Sequence, residues 1–264
     1  MADKGGAPPY RMISIIVSQG CELARWLLQW TGLPFEEELH APLLHVLATL
    51  RVGGGVEAPV MVTSDGVWTT LMGIMQPIDV RAPAGRKIFG EHEAERLANE
   101  AFLQQVMPIL GDPLRRYVYH KVLPDKRVMY PLASYGAPAW ERAFVYWLYP
   151  LWRWLLGRAL GDTPAQLAEA PKLIEQGLDL VDAEIARRGT PFLSGDAPGG
   201  VDRVISAVMS PILFPPEYGG KLPSLEDVPQ TLRDFILRAR ERPAGRLGMA
   251  TYALVRTADA ERRA

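Results

Sequence analysis

The chain has a single cysteine, Cys21, in 264 residues, so no internal disulfide can form. That usage fits a reducing compartment, the cytoplasm, and leaves one free thiol to be accounted for. Neither charge sign is in excess: 29 Lys and Arg stand against 30 Asp and Glu. Such a balance supplies no net field toward nucleic acid or an acidic membrane, which makes long polyanions poor partners. A long apolar run is lacking as well. The most apolar stretch, 143–156, is interrupted by Pro150 and Arg153 and is shorter than the roughly 20 apolar residues of a spanning helix, so no membrane span is expected. The opening, Met1 to Pro9, is polar and rich in Gly and Pro and reads as a loose tail rather than a signal peptide. No histidine pair has metal-ligand spacing with a supporting Cys or carboxylate cluster, so no metal is expected. Gly53-Gly54-Gly55 is no phosphate loop, because no Gly-Lys-Ser/Thr follows it. Internal repeats and low-complexity stretches are absent.

What is present is a chain with 48% hydrophobic residues, long enough for one large domain or two small ones. The run Met12 to Val17 is β-branched and apolar and predicts a first strand buried on both faces. Ser18 and Gly20 break it, and Leu23, Trp26, Leu27 and Trp30 then follow at helical spacing until Gly32 supplies a stop. Phe35 to His40 predicts a second strand and completes a βαβ unit. Ala58 to Val62 and Gly66 to Trp68, flanking Thr63-Ser64-Asp65, predict an antiparallel hairpin. A helix is expected from Leu71, confined to its early turns by Pro77. Residues 81–92, with Pro83, Gly85 and Gly90, read as a linker between a unit over 10–80 and one over 93–258. Beyond the linker the periodicity is helical throughout: Ala94 to Val106, Ile174 to Ile185, Val201 to Ile212 and Leu232 to Ala239 each mark one face.

The order β-α-β, proline-led hairpin, helix, linker and helical bundle resembles the glutathione transferase superfamily over nearly the whole chain. Ser18-Gln-Gly-Cys21-Glu-Leu-Ala-Arg-Trp26, followed by Gly32-Leu-Pro-Phe-Glu36, is similar to bacterial members with a Ser-x-x-Cys-Glu-x-Ala-Arg-Trp opening. Glu57-Ala-Pro59-Val-Met-Val62 resembles the segment that holds the family's cis-proline. Arg81-Ala-Pro-Ala-Gly-Arg86 looks like its linker, and Thr190 to Asp196 with Asp202 like its buried helix-start motif. The resemblance implies a thioredoxin-like N-terminal domain followed by an all-helical C-terminal domain, and a symmetric homodimer. It also implies glutathione as co-substrate and a small apolar electrophile as the other substrate.

At the site, the resemblance gives Ser18 the place of the family's activating Ser or Cys, whose hydroxyl donates to the thiol sulfur and lowers its pKa. Read from the residues alone, Ser18 is a helix N-cap, and one serine can do both. Gln19 and Gly20 share that corner. Cys21 is a second candidate for chemistry, in the first turn where the helix dipole depresses a thiol pKa, or else a small side chain packed under the helix. Ala58 and Pro59, if the peptide is cis, turn a backbone edge toward the peptide part of glutathione; otherwise Pro59 simply begins a strand. His40 and His45 fall where members place basic groups toward the glycine end. Where members have an acidic residue followed by Ser, this chain has Thr70-Leu71: a hydroxyl remains, but the partner for the ligand's ammonium is gone. Seven aromatics, Tyr117, Tyr119, Tyr146, Trp147, Tyr149, Trp152 and Trp154, are expected mostly as bundle core or dimer contact, with a share in an apolar pocket. Asp202, with Gly199 at the N-cap, is expected to be structural. Three functions compete: a thiol transferase using Ser18, a non-catalytic binding protein that has lost the glutathione site, and a thiol–disulfide activity at Cys21.

Overall fold

A computed structural model describes residues 10–261; the tail expected over 1–9 lies outside the described residues. Strand β1 (Tyr10–Ser14) leads into helix α1 (Gln19–Thr31), strand β2 (Phe35–Leu39) and helix α2 (His45–Arg51). Strands β3 (Val60–Thr63) and β4 (Gly66–Trp68) form a hairpin, and helix α3 (Leu71–Arg81) follows. The sheet order is β2-β1-β3-β4, with β1 parallel to β2 and antiparallel to β3, and with β3 antiparallel to β4. The four-stranded mixed sheet is the one the sequence pattern implies. Register follows side-chain size: Ile13 faces Val60, and Met12 faces Met61, all four fully buried.

α1 forms where the sequence begins and ends it. The Ser18 hydroxyl accepts the Cys21 N–H at 3.3 Å, and Gly32 closes the helix in the left-handed region at φ 74°. Between these caps Leu23, Trp26 and Leu27 are wholly buried. Three expectations need correction. β1 starts two residues before the expected Met12 and ends at Ser14, because Ser18 N–H bonds Ile15 O and turns the chain before Val17. Helix α2 was not read from the sequence at all. α3 runs through Pro77 to Arg81 rather than stopping in its early turns. Its buried residues Ile74, Met75, Ile78 and Asp79 straddle the proline, and their packing outweighs the ~3 kcal/mol that an interior proline costs.

Every element after α3 is helical: α4 (Glu93–Val122), α5 (Lys126–Ala133), α6 (Ala139–Trp147), α7 (Tyr149–Leu160), α8 (Pro164–Arg188), α9 (Gly200–Leu213), α10 (Gln230–Glu241) and α11 (Pro243–Glu261). No helix among the described residues is long and apolar enough to cross a membrane. α9 lies at the centre, packed on α1, α4 and α11 and buried over nearly its whole length. Its start is fixed by Asp202, itself fully buried, which accepts the N–H groups of Leu193, Ser194 and Gly199 at 2.7, 3.1 and 2.9 Å. Asp202 is structural, as expected. The α3–α4 connection crosses this helix so closely that a Cβ on Gly200 would sit 2.4 Å from the Ile88 Cα. That connection is strapped at both ends. Asp79 accepts the N–H groups of Ile88 and Phe89, and Asn99, which in turn accepts from Arg188, donates to Phe89 O.

Tyr149 and Trp152 are core, and Tyr117 and Tyr119 are partly buried, but Tyr146, Trp147 and Trp154 are exposed. Short helices α6 and α7 have room for only one buried stripe, and Val145, Tyr149, Trp152 and Leu156 fill it.

Removing the Asp202 carboxylate strands three backbone donors in the interior. Asp202→Ala is expected to lower unfolding free energy by about 3 kcal/mol or more, read as a drop in the urea midpoint at unchanged slope.

Candidate functional site

A cleft of about 1060 Å³ opens between the two halves. Its floor is the N-terminal corner of α1; its walls come from the loop before α2, the start of α3, and helices α4, α7 and α9. Of the residues singled out in the sequence for the thiol site, Ser18, Gln19, Gly20, His45, Ala58, Thr70 and Leu71 line it, whereas Cys21, His40 and Pro59 do not. The Ala58-Pro59 peptide is cis, and the Pro59 ring packs beside Gly20.

Ser18 combines both roles open to it. Its oxygen accepts the Cys21 N–H, while its own proton remains available to the cleft. Backbone N–H groups of the first α1 turn point the same way, giving a corner that favours an anion. The corner is also held by Tyr218 of the cleft wall, whose hydroxyl donates to Ile16 O at 3.1 Å and Ser18 O at 3.4 Å. Gln19 is fixed by its amide, which donates to Gly111 O on α4 at 2.7 Å.

Cys21 departs from the expectation of a dipole-activated thiol. It is fully buried, its sulfur accepts the Ile15 N–H at 3.4 Å, and burial pushes the thiol up to about 11 against smaller opposing pulls from Ile15, Ser18 and Arg25. Desolvation wins because the side chain points into the core under the helix rather than out of its end. The packing alternative therefore holds for Cys21.

The two histidines also part company. His45 lines the cleft; its Nε2 donates to Val56 O at 3.1 Å, and burial lowers its pKa. His40 is turned away from the cleft toward carboxylates, with Nδ1 2.6 Å from Glu141 and Nε2 3.0 Å from Glu38. Glu141, on α6, also accepts the Ala41 N–H at 2.7 Å, and Trp152 on α7 donates to Pro42 O at 2.9 Å. These bonds pin α6 and α7 to the loop before α2, where Leu43 is held at φ 73°, a strained conformation in the cleft wall.

At α3 the Thr70 hydroxyl is used as an N-cap, accepting Gly73 N–H at 3.0 Å. Leu71 reaches over the first turn of α1, with Cδ2 3.2 Å from where a Cβ on Gly20 would be. An aliphatic side chain thus stands where the resemblance leads one to expect polar groups.

Residues the sequence reading missed come mainly from α4: Met107, Gly111 and Arg115 recur at helical spacing down the wall, in line with Tyr119, one of the aromatics singled out in the sequence. That spacing was readable, but Asp112, Arg115 and Arg116 among them look like a solvated face. Burial raises the Tyr119 pKa, with Arg115 opposing. Four polar side chains on the cleft wall keep a buried atom without a partner: Gln19 Oε1, His45 Nδ1, Arg115 Nη1 and Ser210 Oγ. Unsatisfied hydrogen-bonding capacity of this kind, set in mostly apolar walls, suits an amphipathic small ligand. Among the described residues no group of three or more His, Cys, Asp or Glu could hold a metal ion.

No family model and no curated protein matches the chain at significant similarity. Solved structures do. Glutathione transferase GSTFuA3 from Phanerochaete chrysosporium superposes with a TM-score of 0.61 at 15% identity, covering 94% of this chain and 97% of that one. Glutathione transferase F2 from Populus trichocarpa gives 0.60 at 10% identity, over 95% and 100%. A glutathione S-transferase from Methylobacterium radiotolerans, in complex with glutathione sulfonate, gives 0.53 at 18% identity, over 91% and 94%. The fold is that of the glutathione transferases: a thioredoxin-like domain followed by a helical one.

The His40 contacts carry a pH dependence. The bond to Glu141 raises the His40 pKa, burial works against it, and Glu38 adds to the rise. A folded pKa above the unfolded one gives stability that is complete below the unfolded value of about 6.5 and lost as pH climbs through the folded value. The difference in urea midpoint between the wild type and His40→Gln should therefore be widest near pH ~6 and shrink toward pH ~9.

Proposed function

We propose that this protein is a glutathione transferase-like enzyme that holds a thiol, glutathione, at Ser18 and directs its thiolate at a small apolar electrophile in the cleft. The observation that carries this reading is the Ser18 hydroxyl, capping α1 through its oxygen while facing a large cleft of mostly apolar wall. In this reading the hydroxyl proton and the first-turn N–H groups stabilise the sulfur anion, lowering its pKa so that the nucleophile is present near neutral pH. The Ala58 backbone in the cleft wall and the orphaned atoms of Gln19 and His45 supply partners for the peptide part of glutathione. Met107, Leu156 and Phe214 shape the apolar end. A single cysteine, buried and unpaired, agrees with work in the cytoplasm.

A second reading has its own observation. With Thr70 committed to its cap and Leu71 lying over Gly20, the groups that would grip the γ-glutamyl end are absent from α3, which favours a binding protein on the same fold. Calorimetric titration with glutathione separates the two, since the binding-protein reading expects no heat of association.

If the transferase reading is right, Ser18→Ala lowers turnover with an electrophilic test substrate by roughly 10–1,000-fold, as removal of one donor to a stabilised anion does, and changes glutathione affinity far less. Turnover untouched by Ser18→Ala removes the chemistry from this corner. We also propose a homodimer about a two-fold axis, supported by the exposed apolar Val80 on α3 and Leu97 on α4. Light scattering at micromolar concentration should give twice the chain mass, and Val80→Glu with Leu97→Glu should halve it; a monomeric wild type ends the idea.

A further inference from the structure

Helices α6 and α7 meet at Leu148 and project a face that nothing among the described residues covers. Trp140, Trp147, Leu148, Leu151, Trp154 and Leu155 are all exposed on it, Trp147 by 76% and Trp154 by 58%. Along α7 the pattern is regular. Leu151, Trp154, Leu155 and Arg158 follow at i, i+3, i+4 and i+7 on the outer side, while Tyr149, Trp152 and Leu156 face inward. Large apolar groups gathered in this way mark a contact surface rather than ordinary scatter.

Charge on the same segment is of one sign. From Tyr135 to Gly161 the exposed charged side chains are Arg142, Arg153 and Arg158. The only acid, Glu141, is fully buried and spent on His40 and Ala41. None of the three arginines forms an ion pair among the described residues, and Arg158 lies over the Trp154 ring, 5.6 Å from its centroid. The balance of 29 basic against 30 acidic residues in the whole chain therefore conceals a local segregation.

We propose that the α6–α7 face is a docking surface for an anionic lipid membrane, on which the protein lies without crossing it. Tryptophan and tyrosine rings carry an apolar body and a polar edge and settle at headgroup depth. Arginine lays its apolar stem along them while its guanidinium reaches phosphate. A second copy of this chain fits poorly: a two-fold axis through the face brings arginines against arginines with no carboxylate to meet them. The inner side of α7, through Leu156, Ala159 and Leu160, is a wall of the cleft, so docking places the cleft mouth beside the lipid.

The test is flotation of the full chain with vesicles of phosphatidylcholine alone, or with about 30 mol% phosphatidylglycerol, at low and physiological salt. The protein should float with the anionic vesicles only, and less at the higher salt. Arg153→Glu with Arg158→Glu should reduce partitioning at least ~10-fold, because each cation near an anionic surface is worth about fivefold. Trp147→Ala with Trp154→Ala should reduce it as well, the unfolding midpoint of both variants staying at the wild-type value. Protein that stays unbound to anionic vesicles at low salt overturns the proposal, as does binding indifferent to both substitution pairs. So does a dimer that these substitutions convert to monomer, or retention on an acidic polypeptide without flotation; either assigns the face to protein instead.

Discussion

Arg25 is the side chain about which the two halves are organised. It is 4% exposed and lies between two carboxylates: Nη1 donates to Glu22 at 2.5 Å, while Nε and Nη2 make a forked pair with Glu37 at 2.8 and 2.5 Å. Burial works against its charge, yet the bond to Glu37 and the charges of Glu22 and Glu37 prevail and hold its pKa above the ordinary value. Glu37 extends the network to β1 through the Ser14 hydroxyl at 2.5 Å. Glu22 extends it to the other half, accepting Gly219 N–H at 3.0 Å and the Tyr252 hydroxyl at 3.5 Å. Such a cluster adds little stability compared with well-packed apolar residues, but removing one member leaves a buried charge and costs about 3–5 kcal/mol. Its effect is positional: α1 can adopt only one rotation and height, and the Ser18 corner is set by it.

That network explains what could be read in advance. The string Ser18-Gln-Gly-Cys21-Glu-Leu-Ala-Arg-Trp26, which suggested the fold, consists largely of packing residues: Glu22 and Arg25 build the network, Trp26 stacks on Tyr252 at 4.3 Å, and Cys21 fills the core beneath. The βαβ order, the hairpin and α9 with its Asp202 were legible because each depends on local periodicity or caps. α2 was not, since seven residues with three buried leave too short a pattern, and α3 was underestimated because packing decides how much of a proline's cost is tolerated. Half the cleft was invisible for another reason. Arg115, Ser210 and Leu222 converge only through the packing of helices, and no spacing along the chain encodes that convergence.

Composition misled in one respect. Balanced totals and apolar density in 143–156 both described the segment correctly on average and wrongly in detail, because α6 and α7 sort their residues by face. Inward go Val145, Tyr149, Trp152 and Leu156; outward go the remaining tryptophans with arginines that form no ion pair among the described residues. Among the described residues the hydrogen bonds from this segment to the N-terminal half come from Glu141 and Trp152, so the same two short helices close one side of the cleft and carry its most unusual surface.

Apart from Tyr218, the groups that fix the corner stand behind the cleft and not in it: Glu22, Arg25, Glu37, Asp202 and Tyr252 are absent from its walls. Foldability and ligand choice are thereby written in separate parts of the chain. A change such as Leu71 at the mouth of the corner leaves the scaffold's contacts intact, so selection can explore wall residues without pushing the molecule below its stability threshold. Descent on this fold can then carry the architecture a long way while the wall is rewritten, and low identity to structures of the same shape is the outcome such a division of labour produces.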